Sequence, residues 1–334
     1  MLTAARVLAA CGTTGLLLGG MVSGATIGHY APSAGQWLGD GMDATLRLLI
    51  VLLLLGVRFG SLFKALRRLR FLGVAILANF VLIPAIGYCI ASLFLGAHPL
   101  LMVGLAIYFM SPCTDWFLGF TRLADGDVTL GTALIPINML AQLLLYPFFV
   151  FLFTRNVVEV DNALVGSALL QWFVLPLALA LAARHALRLI VGGERLEHLL
   201  AWSDRCTPLV LALLVAQIFA DNIGVILEHG RVFIWLLLAA FTFFVVTFLL
   251  GEAASRLARL PYPEHALLTM TTAARNAPLM LAVTMVALPG QPLVYAAIVI
   301  GMLLEFPHLA LLRYLLLRSR RAFNSVAVNS GPIT

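Results

Sequence analysis

The sequence predicts an all-α polytopic membrane protein. Ten transmembrane helices form two inverted five-helix repeats, and helices 4 and 9 are discontinuous. Three observations lead there: an extreme composition, ten apolar runs joined by short linkers, and two runs interrupted by proline and polar residues half a chain apart. Of the 334 residues, 62% are apolar and 11% charged, and the mean hydropathy is +1.03. A soluble globular chain is nearer half apolar and a quarter charged. A soluble single domain, a disordered tail protein and a disulfide scaffold are therefore excluded. One span takes about 20 residues, so the length accommodates roughly ten.

The apolar runs fall at about 4–28, 43–60, 71–96, 100–121, 128–153, 163–190, 207–228, 232–255, 264–288 and 292–317. The first, after Arg6, looks like a secretory signal, but nine more runs follow and it is read as the first span. Linkers are short, so residues 1–334 form a single membrane domain. Repeat one covers about 4–153, repeat two about 163–317, and 318–334 is a short cytoplasmic tail. Cys11, Cys89 and Cys113 lie in spans and Cys206 in a short basic loop, so no disulfide is expected.

Orientation follows from the 21 Lys and Arg residues. Seventeen, including Arg58, Lys64, Arg67, Arg68 and Arg70, fall at one set of ends; Arg47, Arg155 and Arg231 fall at the other; Arg275 is within a span. Basic residues are retained on the cytoplasmic side. Both termini are thus expected inside, in the plasma (cytoplasmic) membrane. The net charge of +6 is topology and not a nucleic-acid signal. Asp127, after Gly126, is expected to cap the fifth span.

The fourth run contains Ser111-Pro112-Cys113-Thr114-Asp115-Trp116, and the ninth contains Ala273-Ala274-Arg275-Asn276-Ala277-Pro278. Proline removes a backbone donor and blocks a carbonyl. Freed backbone at membrane depth persists only where protein or a water-filled cavity satisfies it. Pro112 and Pro278 are 166 residues apart, and Asn138 and Glu305 are 167 apart. That near-constant offset marks a repeat, and an odd number of spans per repeat inverts the second copy. Paired discontinuous helices in inverted repeats place a substrate site at the bilayer midplane.

Asp115, Asn138, Arg275, Asn276 and Glu305 all fall inside spans. An ionisable group there costs about 2.5–3.5 kcal/mol on insertion scales, so each is expected to face a cavity or pair with another. Asp115 and Arg275, beside the two breaks, are candidates for an ion pair. Glu305 is the candidate for exchanging a proton near neutrality. Cys113, beside a freed half-helix N-terminus, would have readier thiolate character and a preference for soft partners. No phosphate-binding loop, metalloprotease motif, metal-spaced cysteine cluster or nucleophile elbow is present, so neither an enzyme nor a cofactor is expected.

Ser111-Pro112-Cys113-Thr114, followed by Leu123-Ala124-Asp125-Gly126-Asp127, resembles the fourth span of the bile acid:sodium symporter superfamily. The Pro-Cys-Thr triplet, Asn138, Asn276 and Glu305-Phe306-Pro307 resemble the arsenical-resistance-3 branch, the arsenite efflux permeases. The stretch Phe63 to Arg70 and the Pro84 helix match the superfamily more loosely, so the resemblance spans nearly the whole chain. It implies a panel and a core of crossed helices. Trivalent arsenic would be received at Cys113, the metalloid substrate contact, and efflux coupled to proton entry, with Glu305 and Asp115 as the ion- or proton-coupling candidates. Thr114, Asn138, Asn276 and Arg275 would line the substrate path. The chain departs from sodium-coupled members at Thr271, Arg275 and Leu118, and from the arsenite branch at Leu279 and Asp115. The expected partners are a small inorganic or organic anion or metalloid, protons rather than Na⁺, and the lipid bilayer. The alternative is an organic-anion transporter of the same fold, with sodium coupling left open and Arg275 holding a carboxylate.

Overall fold

The computed structural model describes residues 2–55, 68–114, 116–154, 170 and 175–329. Thirteen helices and no strand occur among them: α1 Leu2–Tyr30, α2 Pro32–Asp40, α3 Met42–Leu55, α4 Leu69–Leu95, α5 Pro99–Met110, α6 Phe117–Leu123, α7 Val128–Thr154, α8 Leu175–Val191, α9 Gly193–Glu228, α10 Val232–Leu257, α11 Tyr262–Ala273, α12 Ala277–Ala287 and α13 Pro292–Asn329. Five helices are long and apolar enough to cross a membrane: α4, α7, α10 and the segments Arg195–Glu228 and Pro292–Arg320. Pro99–Met110, Leu177–Ala186 and Ala277–Ala287 are shorter apolar helices. The protein is thus an all-helical, multi-pass membrane protein.

The fourth and ninth apolar runs are each two helices, α5 with α6 and α11 with α12, separated at the expected breaks. One expectation needs correction. The basic loop placed before residue 207, which held Cys206, is the first part of α9. Its sequence is amphipathic: Leu196, Leu200 and Ser203 are buried, while Arg195, Glu197 and His198 are exposed. That periodicity carries the helix across the basic stretch. Helix α13 runs on past residue 317 to Asn329. Asp127 behaves as expected, its Oδ1 accepting from the Leu130 N–H at 2.9 Å to cap α7. The described cysteines Cys89, Cys113 and Cys206 form no disulfide.

Helices α1 and α9 meet backbone to backbone. A Cβ at Gly20 would sit 2.5 Å from the Ala212 carbonyl oxygen, and Gly24 and Gly28 meet the carbonyls of Ala216 and Ala220 in the same way. Small residues every fourth position allow this approach, which van der Waals contact then stabilises in lipid.

The buried apolar residues form two clusters stacked along the helices. One contains Ile83 to Leu95 of α4, Leu101 to Met110 of α5, Met139 onward in α7, α12, and Leu293 to Met302 of α13. The other contains Phe71 to Ala78 of α4, Cys113, Phe117 and Phe120, Leu130 to Leu134 of α7, α11, and Phe306 to Leu316 of α13. Helices α4, α7 and α13 pass from one cluster to the other through a polar layer, while the broken pairs α5–α6 and α11–α12 meet it at their breaks. Asn79, Ser111, Thr114, Asn138, Arg275, Asn276 and Glu305 lie in that layer and are all buried.

Candidate functional site at the helix crossover

The layer is built on the two chain breaks. Ser111, preceding Pro112, is extended (φ −105°, ψ 109°), as the proline ring requires of its predecessor. Ala274 is extended too (φ −75°, ψ 135°). The two segments run antiparallel as a single bridge between Pro112 and Arg275. The Cys113 N–H donates to the Ala274 carbonyl at 3.0 Å, and the Asn276 N–H donates to the Ser111 carbonyl at 3.0 Å. Each break thereby satisfies donors freed by the other, as buried backbone requires. Pro278 lies in the first turn of α12, where its missing N–H is no loss.

Glu305 closes the crossover from α13. Its Oε1 accepts from the Arg275 backbone N–H at 3.0 Å and from Trp116 Nε1 at 2.7 Å. Its Oε2 accepts from the Tyr108 hydroxyl at 3.1 Å. Tyr108 can reach it because Gly301, one turn earlier, leaves room: a Cβ there would lie 2.7 Å from the Tyr108 ring. Backbone and indole N–H groups only donate, whereas a phenol both donates and accepts. Oε1 must therefore stay unprotonated, and any proton on Glu305 belongs on Oε2, facing Tyr108.

Arg275 is fully buried. Its guanidinium donates to the carbonyls of Phe109 at 2.9 Å, Thr271 at 2.9 Å and Thr272 at 2.6 Å. It also lies 5.8 Å from the centre of the Phe243 ring. The proposed partner Asp115 lies outside the described residues. Among those described, the guanidinium's hydrogen-bond partners are carbonyl oxygens.

Asparagines bind the breaks to their neighbours. Asn276 Nδ2 donates to Thr114 Oγ1 at 3.0 Å, joining the second break to the first. Asn138 Nδ2 lies 3.5 Å from the Cys113 carbonyl and 3.4 Å from Thr271 Oγ1. Asn79 Nδ2 donates to the same Thr271 hydroxyl at 3.3 Å. Asn79 occupies a π-turn, Ala78–Leu82, where the Ile83 N–H bonds back to Ala78. Pro84 follows, and its lack of an N–H explains the widened turn.

A cavity of about 570 Å³ opens beside the crossover. Thr114, Trp116, Thr132, Met139 and Asn276 line one wall, and Leu52 and Leu53 of α3 with Asp204, Thr207 and Pro208 of α9 line the other. Of the residues singled out in the sequence, Thr114 and Asn276 reach this cavity. Cys113, Asn138, Arg275 and Glu305 are not among its described lining residues; they lie behind it, buried. Reading the sequence alone missed Asn79, Tyr108, Trp116, Asp204 and Thr207. An asparagine five residues before a proline in an apolar run was the available signal for Asn79.

Interrupted helices crossing in a polar layer, beside a cavity in a membrane-spanning helical chain, define a membrane transporter. The model of the Sodium Bile acid symporter family matches residues 44–229, more than half of the chain, and the chain belongs to that family. The arsenical-resistance protein Acr3 of Corynebacterium glutamicum is 26% identical over 318 residues, covering 91% of this chain and 85% of that protein. A probable sodium/metabolite cotransporter, the chloroplastic BASS2 of Oryza sativa subsp. japonica, is 26% identical over 212 residues, covering 62% of this chain and 48% of that protein.

Proposed function

We propose that this chain is a secondary active transporter that exports arsenite or a related metalloid in exchange for protons. It would work by alternating access in the plasma membrane, with both termini cytoplasmic. The ten spans would form two inverted repeats, about 4–153 and 163–317. The observation that carries the reading is the small cavity whose inner wall is Thr114 and Asn276, hydrogen bonded to each other across the two breaks. Hydroxyl and amide groups suit a small, neutral, hydroxyl-bearing solute. The Acr3 likeness over 91% of the chain supports the metalloid.

Cys113 would receive the trivalent metalloid through sulfur, a soft ligand for a soft acceptor. Its burial behind Thr114 means that the first break must shift to present it. Asn138 holds the Cys113 carbonyl and would steady that shift. Glu305 would carry the exchanged proton on Oε2, with the Tyr108 hydroxyl turning from donor to acceptor as it arrives. Arg275 and Asp115 would organise the crossover, and α9 with α3 would rock against it.

The test is uptake of trivalent arsenic into everted vesicles, with and without an imposed pH gradient. Wild type should take it up when driven by the gradient. Cys113→Ser should insert normally and lose uptake. Retained uptake in that variant, at equal expression, overturns the thiol mechanism. A second reading, organic-anion transport, is favoured by the BASS2 likeness. Arg275 would then have to release the carbonyls it now holds before it could meet a carboxylate.

A further inference from the structure

The structure assigns a cation site to the crossover, and its permanent occupant is the chain's own Arg275 guanidinium. Helix α5 ends at Met110 and α11 ends at Ala273, and both C-termini point into the polar layer. A helix C-terminus carries about half a negative charge on carbonyls that lack intrahelical donors. Phe109 supplies one such carbonyl, and Thr271 and Thr272 supply two more. Three oxygens from two opposed helix ends, with the Glu305 carboxylate bonded to the backbone of the same residue, form a concentrated negative pocket. The Phe243 ring face adds to it on another side. Half-helix C-termini exposed in this way elsewhere coordinate a mobile Na⁺ or proton.

Here the positive charge is tethered. It cannot be released to either side of the membrane, so the crossover stays neutralised through the whole transport cycle. Sodium has no vacancy to fill at this point and cannot deliver its gradient through it. The site also matches a guanidinium in particular: two terminal nitrogens reach two different helix ends, a fork that a point charge does not reproduce. Among the described residues Nε, the third nitrogen of the guanidinium plane, has no hydrogen-bond partner, so the two terminal nitrogens carry the contacts and the aliphatic stem is the tether. This inference concerns the crossover alone and does not use the metalloid, although an anion that drew Arg275 off its carbonyls would contradict it.

Replacing Arg275 should therefore create a binding site for small external cations. Wild type, Arg275→Ala and Arg275→Gln are purified in one detergent, and thermal midpoints are measured in choline chloride. Guanidinium, methylguanidinium or Na⁺ is then added at low millimolar concentration. The wild-type midpoint should not respond. Arg275→Ala should melt several degrees lower and recover saturably with guanidinium or methylguanidinium, and less with Na⁺. Ligand that binds only the folded form raises the midpoint in this saturable way. Arg275→Gln keeps more of the side-chain volume and remains measurable should the alanine variant not fold; Na⁺ should stabilise it. Variants that respond to no cation more than wild type does would overturn the inference, and so would wild type stabilised by Na⁺ as strongly as the variants. Neither readout uses arsenite, so failure here leaves the metalloid proposal to its own test.

Discussion

Removing the Glu305 carboxylate should damage the fold far more than removing its charge. Its two oxygens serve three donors: the Arg275 N–H, the Trp116 indole and the Tyr108 hydroxyl. Each buried donor left without a partner costs about 1–3 kcal/mol. Glu305→Ala orphans the two fully buried donors, on Tyr108 and Arg275, about 2–6 kcal/mol before any cavity cost, and leaves the part-buried Trp116 N–H, which lines the cavity, without its acceptor. The buried pair alone is a large share of the stability of an ordinary domain, about 5–15 kcal/mol. Glu305→Gln keeps an acceptor where Oε1 meets the two obligate donors. Its amide nitrogen replaces Oε2 and donates to the Tyr108 hydroxyl, which can accept. The loss is then that of charge assistance, about 1–3 kcal/mol. Thermal unfolding of the two purified variants, followed alongside monodispersity, separates the cases. The alanine variant should be the much less stable, and equal midpoints would refute the accounting. In vesicles, Glu305→Gln should still exchange solute yet ignore an imposed pH gradient.

Tyr108→Phe, which removes the partner of Oε2, should insert and bind normally while its transport loses the wild-type response to pH, measured as uptake against external pH. Gly301→Ala forces a methyl into the Tyr108 ring; overpacking of this kind costs about 1–3 kcal/mol, read as a lowered thermal midpoint. Asp127→Ala removes the α7 cap and should cost about 0.5–2 kcal/mol, with transport by the folded fraction unchanged. Thr207→Cys, on the cavity wall, should react with a small methanethiosulfonate reagent, whereas buried Asn138→Cys should not; equal labelling would remove the cavity's claim to be the solute path.

Much of this site was legible because membrane depth makes polarity conspicuous. Pro112, Asn138, Arg275, Asn276 and Glu305 stand out in apolar runs, and the breaks fall where the prolines placed them. The partners were not legible. Tyr108 and Trp116 are ordinary aromatic residues in a membrane sequence, and only the crossing brings them to Glu305, 197 and 189 positions away. Thr271 looked like a departure from a family pattern, whereas in the fold its hydroxyl takes bonds from Asn79 and Asn138. Asp204 was missed because charge density near Arg195 and Arg205 reads as loop, while the periodicity of Leu196, Leu200 and Ser203 continues the helix; Thr207, first residue of the next run, carries no polarity out of place at a span end. Charge set the expected boundary, and packing moved it.

The glycine face of α1 imposes an order on biosynthesis. Gly20, Gly24 and Gly28 meet Ala212, Ala216 and Ala220, in each case a partner 192 residues later in the chain. At ordinary synthesis rates of about 5–20 residues per second, that interval is about 10–40 s. For that interval the glycine face of α1 is without the α9 carbonyls it packs against. The close contact between the N-terminal helix and α9 is therefore made only after residues 212–220 have been synthesised.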